Sequence, residues 1–99
     1  MSWVNAVEVY YRLDRDHGRQ AADETLAALR SAIELELPGV WRMVETAQLK
    51  SGLAIALGDC FAIATAAARK LPLLTGDPEI VELAGLPCVV EDLRAEPQR

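Results

Sequence analysis

The chain has 99 residues, of which 52% are hydrophobic and five are aromatic, and its net charge is −5. This length allows one small domain, and the composition indicates an aliphatic core and excludes a disordered chain. The chain has no excess of basic over acidic residues, which argues mildly against a nucleic-acid binder. It does not exclude a metal-bridged phosphate, because setting three acids aside as metal ligands leaves the remainder close to neutral.

The first third of the chain predicts two helices and a strand. Ser2 is a suitable N-cap and Gly18 a suitable stop for a helix over residues 3–17. A second helix is predicted over residues 19–32, which are rich in alanine and leucine. Residues 33–37 alternate apolar and acidic side chains, which predicts a half-exposed strand at or near a sheet edge.

The rest of the chain continues the alternation of helices and strands. The predicted elements are an amphipathic helix over 40–50, an apolar helix over 57–70, a strand over 71–75, a short helix over 78–84 and a strand over 88–91. Residues 95–99 are predicted to be a frayed tail. The pattern predicts an α/β layered fold in which the apolar helix is covered on both faces.

The cellular location is predicted from the cysteines and the apolar segments. Cys60 and Cys88 lie in apolar surroundings with no second pair to build a zinc site, which favours free thiols in a reducing cytosol. No secretory leader opens the chain. Asp59 lies within the apolar stretch 52–68 and would cost about 2.5–3.5 kcal/mol in a bilayer. We therefore expect a cytoplasmic protein without membrane contact.

Three acids lie in apolar segments without a cationic residue beside them. Glu8 lies inside the first helix, Asp59 at the start of the apolar helix, and Asp77 just after the strand over 71–75. Open α/β sheets place their ligands at the carboxyl ends of strands, where Asp77 is expected. Carboxylate oxygens suit hard ions such as Mg²⁺ or Mn²⁺. The pattern therefore suggests a hard-metal site.

Each acid also has a structural interpretation. Asp77 followed by Pro78 forms a helix start, and Asp59 could likewise cap the helix after it. Glu8 could form an ordinary surface pair with Arg12, worth about 0.3–0.5 kcal/mol. Taken alone, Asp77 is equally compatible with a cap and a ligand, and Asp59 favours the cap. For Glu8 the metal site is favoured over the surface pair, because all three segments agree.

Three segments together resemble the signature segments of PIN-domain ribonucleases, in particular the VapC-type toxins of toxin–antitoxin pairs. They are Val4–Tyr11, Leu57–Ala64 and Leu73–Glu79, and the resemblance extends from Ser2 to about Leu93. It implies that a cluster of acids holds one or two Mg²⁺ or Mn²⁺ ions.

Carried over position by position, the resemblance assigns the family's acids to this chain. Glu8, Asp59 and Asp77 match its metal-binding and catalytic acids, and Thr75 matches a hydroxyl position that supports the site.

The resemblance has a gap at its start. The family opens with a hydrophobic strand that ends in a metal-binding aspartate, then two helices and a second strand, and these have no match before Val4. The expected fold is thus a three-layer α/β/α arrangement with a parallel sheet, with residues 1–99 forming a partial domain that lacks those elements. We expect the DNA upstream of Met1 to encode them in frame. A stop codon there would favour a truncated, inactive protein.

The resemblance implies a metal-dependent endoribonuclease toxin that hydrolyses RNA phosphodiester bonds. The alternative is a catalytically inactive, truncated PIN-like fragment that acts only as a protein-interaction module. The implied partners are an RNA substrate, a cognate antitoxin and a second copy in a homodimer. Trp3 and Trp41 are candidate surface aromatics, although a buried core position is the more ordinary one for each. The candidate RNA contacts are Arg12, Arg15, Arg19, Lys50, Arg69 and Lys70, although a solvated helical face is the more ordinary description of most of them.

Overall fold

A computed structural model describes residues 1–94 of the chain, so the predicted frayed tail lies outside the described residues. Its elements in chain order are α1 (Trp3–His17), α2 (Arg19–Ala32), α3 (Val40–Gly52), α4 (Leu57–Arg69), β1 (Leu73–Thr75), α5 (Pro78–Val81) and β2 (Val90–Asp92). The α/β composition expected from the sequence is confirmed.

The first two helices form a hairpin whose bounds agree with the predicted ones. Ser2 caps α1 by accepting a hydrogen bond from the Val4 N–H at 3.2 Å. Gly18 joins the helices with φ at 94°, a left-handed value that glycine adopts without a steric penalty. The Tyr10 hydroxyl donates to Asp23 on α2 at 2.6 Å and links the two helices.

Helix α4 carries the core. Ile55, Cys60 and Ile63 are buried together, and the half-buried side chains around them are Leu49, Leu53, Leu73, Leu83, Leu86 and Cys88. Both cysteines are free thiols, Cys60 buried and Cys88 half-buried. Within residues 1–94, none of the helices combines the length and the apolar character needed to cross a bilayer.

The strands that form are shorter than the predicted ones. β1 and β2 pair in parallel, with Leu73 opposite Val90 and Thr75 opposite Asp92. β1 begins at Leu73, not at 71, because the Leu71 N–H bonds back to Ala66 O at 3.0 Å and closes the end of α4. Pro72, the next residue, has no backbone N–H and cannot donate a hydrogen bond to a neighbouring strand.

The strand predicted over 88–91 is displaced towards the C-terminus, and the helix predicted over 78–84 is too long. β2 covers 90–92, the stretch that lies opposite β1, and α5 ends at Val81. The Glu82 N–H bonds to Pro78 O at 3.1 Å and closes that single turn.

The predicted strand over 33–37 was wrong. Among the described residues this segment makes one parallel bridge, between Glu36 and Ser2, and no ladder. A strand needs a neighbour that offers several donors and acceptors, and only the few residues before α1 lie beside it. Leu37 is accordingly 80% exposed, so the apolar and acidic alternation does not bury one face.

A slot of about 460 Å³ separates the Ser2–Glu36 pair from β1. The small residues Ala62, Thr65 and Ala66 of α4 line it. Thr65 is 4% exposed, and its hydroxyl oxygen has no hydrogen-bond partner among the described residues. The two pieces of β structure therefore do not join into one sheet within residues 1–94.

Candidate functional site

Asp59 lies in the first turn of α4. The cap position of this helix is occupied by Ala56, and no side chain makes a capping hydrogen bond there. The interpretation of Asp59 as an N-cap was therefore wrong. A carboxylate in the first turn still gains from the positive end of the helix dipole.

The environment of Asp59 opposes its negative charge. Burial of the carboxyl raises its pKa, and the charges of Asp77, Glu8 and Glu79 raise it further. The Arg12 guanidinium acts in the opposite direction and lowers it. Two acids predicted from separate segments, Asp77 and Glu8, thus lie close enough to Asp59 for their charges to act on its carboxyl.

Glu8 is held against the start of α4. Asn5 Nδ2 donates to Gly58 O at 2.9 Å and, more weakly, to Glu8 Oε1 at 3.4 Å. A Cβ placed on Gly58 would collide with Glu8 Oε1 and lie 2.6 Å from Glu8 Cδ. Among residues 1–94 Glu8 forms no ion pair with Arg12, so the surface-pair interpretation of Glu8 was wrong.

Asp77 follows β1 and starts α5. Its N–H donates to Thr75 Oγ1 at 3.1 Å, and its Oδ1 accepts from the Glu79 N–H at 2.9 Å. Pro78 occupies the first helical position, as expected for a capped start. The cap interpretation of Asp77 is therefore confirmed, and the Thr75 hydroxyl fixes the turn that presents the carboxylate.

The three acids share a region but do not form one coordination sphere. Within the part of the chain that the structure describes, no group of three or more His, Cys, Asp or Glu side chains is close enough to hold an ion. Their chemistry nevertheless fits Mg²⁺ or Mn²⁺, which take carboxylate oxygens and retain several waters. Because Gly58 has no side chain, the Glu8 carboxylate itself occupies the space against the backbone of α4.

Two residues that matter for this arrangement were not predicted as site residues. Asn5 bridges α1 and α4, and Gly58 lets the Glu8 carboxylate approach the backbone of α4. A glycine directly before Asp59 was the available signal. The role of Asn5 could not be inferred, because its partner lies 53 positions away.

Most of the candidate RNA contacts have other roles. Arg15, Arg19 and Arg69 pair with Asp16, Asp14 and Glu34, respectively. Lys70 ends α4 at the opposite end from Asp59.

Arg12 differs from these paired arginines. Its charge acts on Asp59, and among residues 1–94 no carboxylate lies within ion-pair distance of it.

The comparisons with known proteins identify one family. A model of the PIN domain matches residues 1–86 of the chain. Searches of curated proteins and of solved structures gave no match.

Proposed function

Because the chain belongs to the PIN-domain family, whose members are nucleases that generally use divalent metals, we propose that it is a metal-dependent endoribonuclease of the toxin type. The observation that carries the proposal is that the Glu8 carboxylate lies against the backbone of α4 at Gly58, directly before Asp59. The charges of Asp77 and Glu8 also raise the pKa of Asp59, after the larger effect of burial. Together with the hydrogen bond from Asn5 to Gly58 O, these contacts support a common site at the start of α4.

In the proposed mechanism, Glu8, Asp59 and Asp77 would hold Mg²⁺ or Mn²⁺. A bound ion of this kind supplies charge neutralisation and an acidified water for phosphodiester hydrolysis. Thr75 orients the turn of Asp77, and Asn5 orients Glu8. Arg12 offers a positive charge at the rim, where a substrate phosphate would approach the acids.

The proposal is tested by cleavage of a labelled RNA with Mg²⁺ and with EDTA. Asp59→Asn, Glu8→Gln and Asp77→Asn should each lower Mg²⁺-dependent cleavage at least about tenfold, because weaker outer-shell changes already have such effects. Glu24→Gln removes one charge from the exposed surface of α2 and should leave cleavage unchanged. Undiminished cleavage by Asp59→Asn and Glu8→Gln would show that the ligands are wrongly assigned.

The alternative is an interaction module without catalysis, and one surface favours it. Leu37, Val40, Trp41 and Val44 form an apolar stripe on and before α3, with Trp41 79% exposed. An apolar face of this kind, exposed at spacings of three and four residues, suits a helical partner or a second copy. A protein of this second class would bind no Mn²⁺ at millimolar concentration and cleave no RNA.

The same stripe supports the proposed partners, a cognate antitoxin and a homodimer. Trp41→Glu would place a charge at its centre and should shift a dimer to monomer in size-exclusion chromatography with light scattering. Co-purification with a protein encoded beside this one tests the antitoxin. A monomer that captures no such neighbour contradicts both partners. We further propose a cytoplasmic location, where the free thiols of Cys60 and Cys88 stay reduced.

A further inference from the structure

An open cleft lies between α1 and α2, and its lining includes Asp23 but none of Glu8, Asp59 and Asp77. Its volume is about 340 Å³, and its aromatic lining residues are Trp3, Tyr10 and Tyr11 of α1. Val7 is 58% and Tyr11 47% exposed, so these side chains face solvent although their helix is packed on α2. The cleft is thus an aromatic surface that the fold does not cover.

Tyr11 connects this cleft to the acidic region. It lies three residues after Glu8, which makes the two side chains neighbours on the surface of α1. The guanidinium carbons of Arg12 and Arg15 each lie 6.0 Å from the centroid of the Tyr11 ring. Tyr11 therefore gives the cleft an aromatic ring with two guanidinium groups beside it, on the helix that also carries Glu8.

We propose that this cleft binds a base of a single-stranded nucleic acid, with Tyr11 as the stacking surface and Arg12 as the contact to the adjoining phosphate. The position of this base relative to the scissile phosphate rests on the proposed function. Aromatic side chains stack on bases that are not already stacked in a duplex, which selects single strands. Asp23 places one carboxylate in the lining of the cleft, where it accepts a hydrogen bond from the Tyr10 hydroxyl. Three guanidinium groups surround the aromatic rings of the cleft, Arg12 and Arg15 at Tyr11 and Arg30 at Trp3, and this excess of cations suits a polyanion.

The test measures binding in EDTA, so that it requires neither metal nor cleavage. Short fluorescein-labelled single strands of RNA and of DNA, and the matching duplex, are titrated with the full chain by fluorescence anisotropy. We expect single strands to bind more tightly than the duplex. Tyr11→Ala should weaken single-strand binding at least about fivefold, the lower limit for losing one base stacked on an aromatic ring.

Two matched variants separate stacking from bulk and from folding. Tyr11→Phe keeps the ring and should retain binding, whereas Tyr11→Leu keeps an apolar side chain without a π face and should bind like Tyr11→Ala. Val89→Ala truncates a side chain that is 70% exposed before β2 and should not change binding.

The phosphate contact is tested by the salt dependence of binding. Arg12→Gln should lower the slope of log K against log salt by about 0.7, the contribution of one phosphate contact in a single strand. Lys70→Asn removes a charge at the far end of α4 and should leave the slope unchanged. Asparagine suits this control because it tolerates the left-handed backbone at position 70.

Three results would overturn the proposal. They are no binding of any single strand, equal binding by Tyr11→Phe, Tyr11→Leu and the wild type, or a change of oligomeric state with Tyr11→Ala that leaves binding intact. The last result would identify the cleft as an interface between copies. Ring-dependent binding without cleavage would support the cleft and contradict the nuclease. Cleavage that is indifferent to Tyr11 would support the nuclease and contradict the cleft.

Discussion

The first turn of α4 and the middle of the same helix show opposite designs. In the middle, Ile63 is fully buried among leucines, and burial there stabilises the fold. In the first turn, Asp59 lies half-buried among carboxylates that raise its pKa, and this arrangement opposes folding at neutral pH. The same helix therefore stabilises the fold at its centre and carries electrostatic repulsion at its start. Functional sites commonly have such locally unfavourable interactions, because activity can require groups that lower stability.

The largest expected effect lies in the middle of the helix. Ile63→Ala should lower the free energy of unfolding by about 2–5 kcal/mol, because it removes a fully buried side chain and leaves a cavity. Urea denaturation measures this change. The matched truncation Val89→Ala, at an exposed position, should stay within about 0.5 kcal/mol. Equal losses in the two variants would contradict the assignment of the core to this part of α4.

Gly58→Ala should displace the Glu8 carboxylate from the first turn of α4 without unfolding the protein. The added Cβ would meet the carboxylate of Glu8, the far end of a flexible side chain that can move at small cost in stability. Displacing a proposed metal ligand should reduce Mg²⁺-dependent cleavage by about 10–100-fold. Gly52→Ala, where a Cβ meets nothing within 4 Å, is the control and should leave cleavage unchanged. A Gly58→Ala variant with full activity would show that the position of Glu8 is unimportant.

The smallest expected effect is a pH-dependent gain in stability in the variant Asp59→Asn. The pKa of Asp59 is raised by burial and then by neighbouring carboxylates, so folding favours its protonated form. The stability that this group contributes is present below the ordinary aspartate pKa of about 3.9 and is lost as pH rises through the raised value. In metal-free buffer, Asp59→Asn should therefore have the higher melting temperature at pH 7, and the difference should narrow towards pH 4.

The control for this pH series is Glu24→Gln, which changes an exposed carboxylate on α2. Its melting temperature should follow that of the wild type across the range. A lower melting temperature for Asp59→Asn at pH 7 would mean that the carboxylate stabilises the fold and that the repulsion inferred at the first turn is absent.

Local sequence signals predicted the helices well and the strands poorly. The bounds of α1 and α2 follow from Ser2 and Gly18, whose capping and left-handed conformations are local properties. The strand over 33–37 failed because a strand depends on a partner, and its alternating pattern contains no information about whether a partner lies beside it.

In the candidate site, too, local features were predictable from the sequence and contacts between distant segments were not. The resemblance selected Glu8, Asp59 and Asp77, and their role as ligands stays a prediction; in the structure the charges of Asp77 and Glu8 act on Asp59. The cap at Asp77 was predictable from Pro78, since both belong to one turn. The Asn5 bridge was not, because it joins segments that only the fold brings together.

The central claim is that Glu8, Asp59 and Asp77 together bind a divalent ion. Electron paramagnetic resonance of Mn²⁺ titrated into the chain at millimolar concentration tests it directly, because free and bound ions give distinct signals. The account predicts saturable binding that is lost in Asp59→Asn and in Asp77→Asn and is unchanged in Glu24→Gln. No binding to the wild type, or binding that survives both aspartate substitutions, would contradict it.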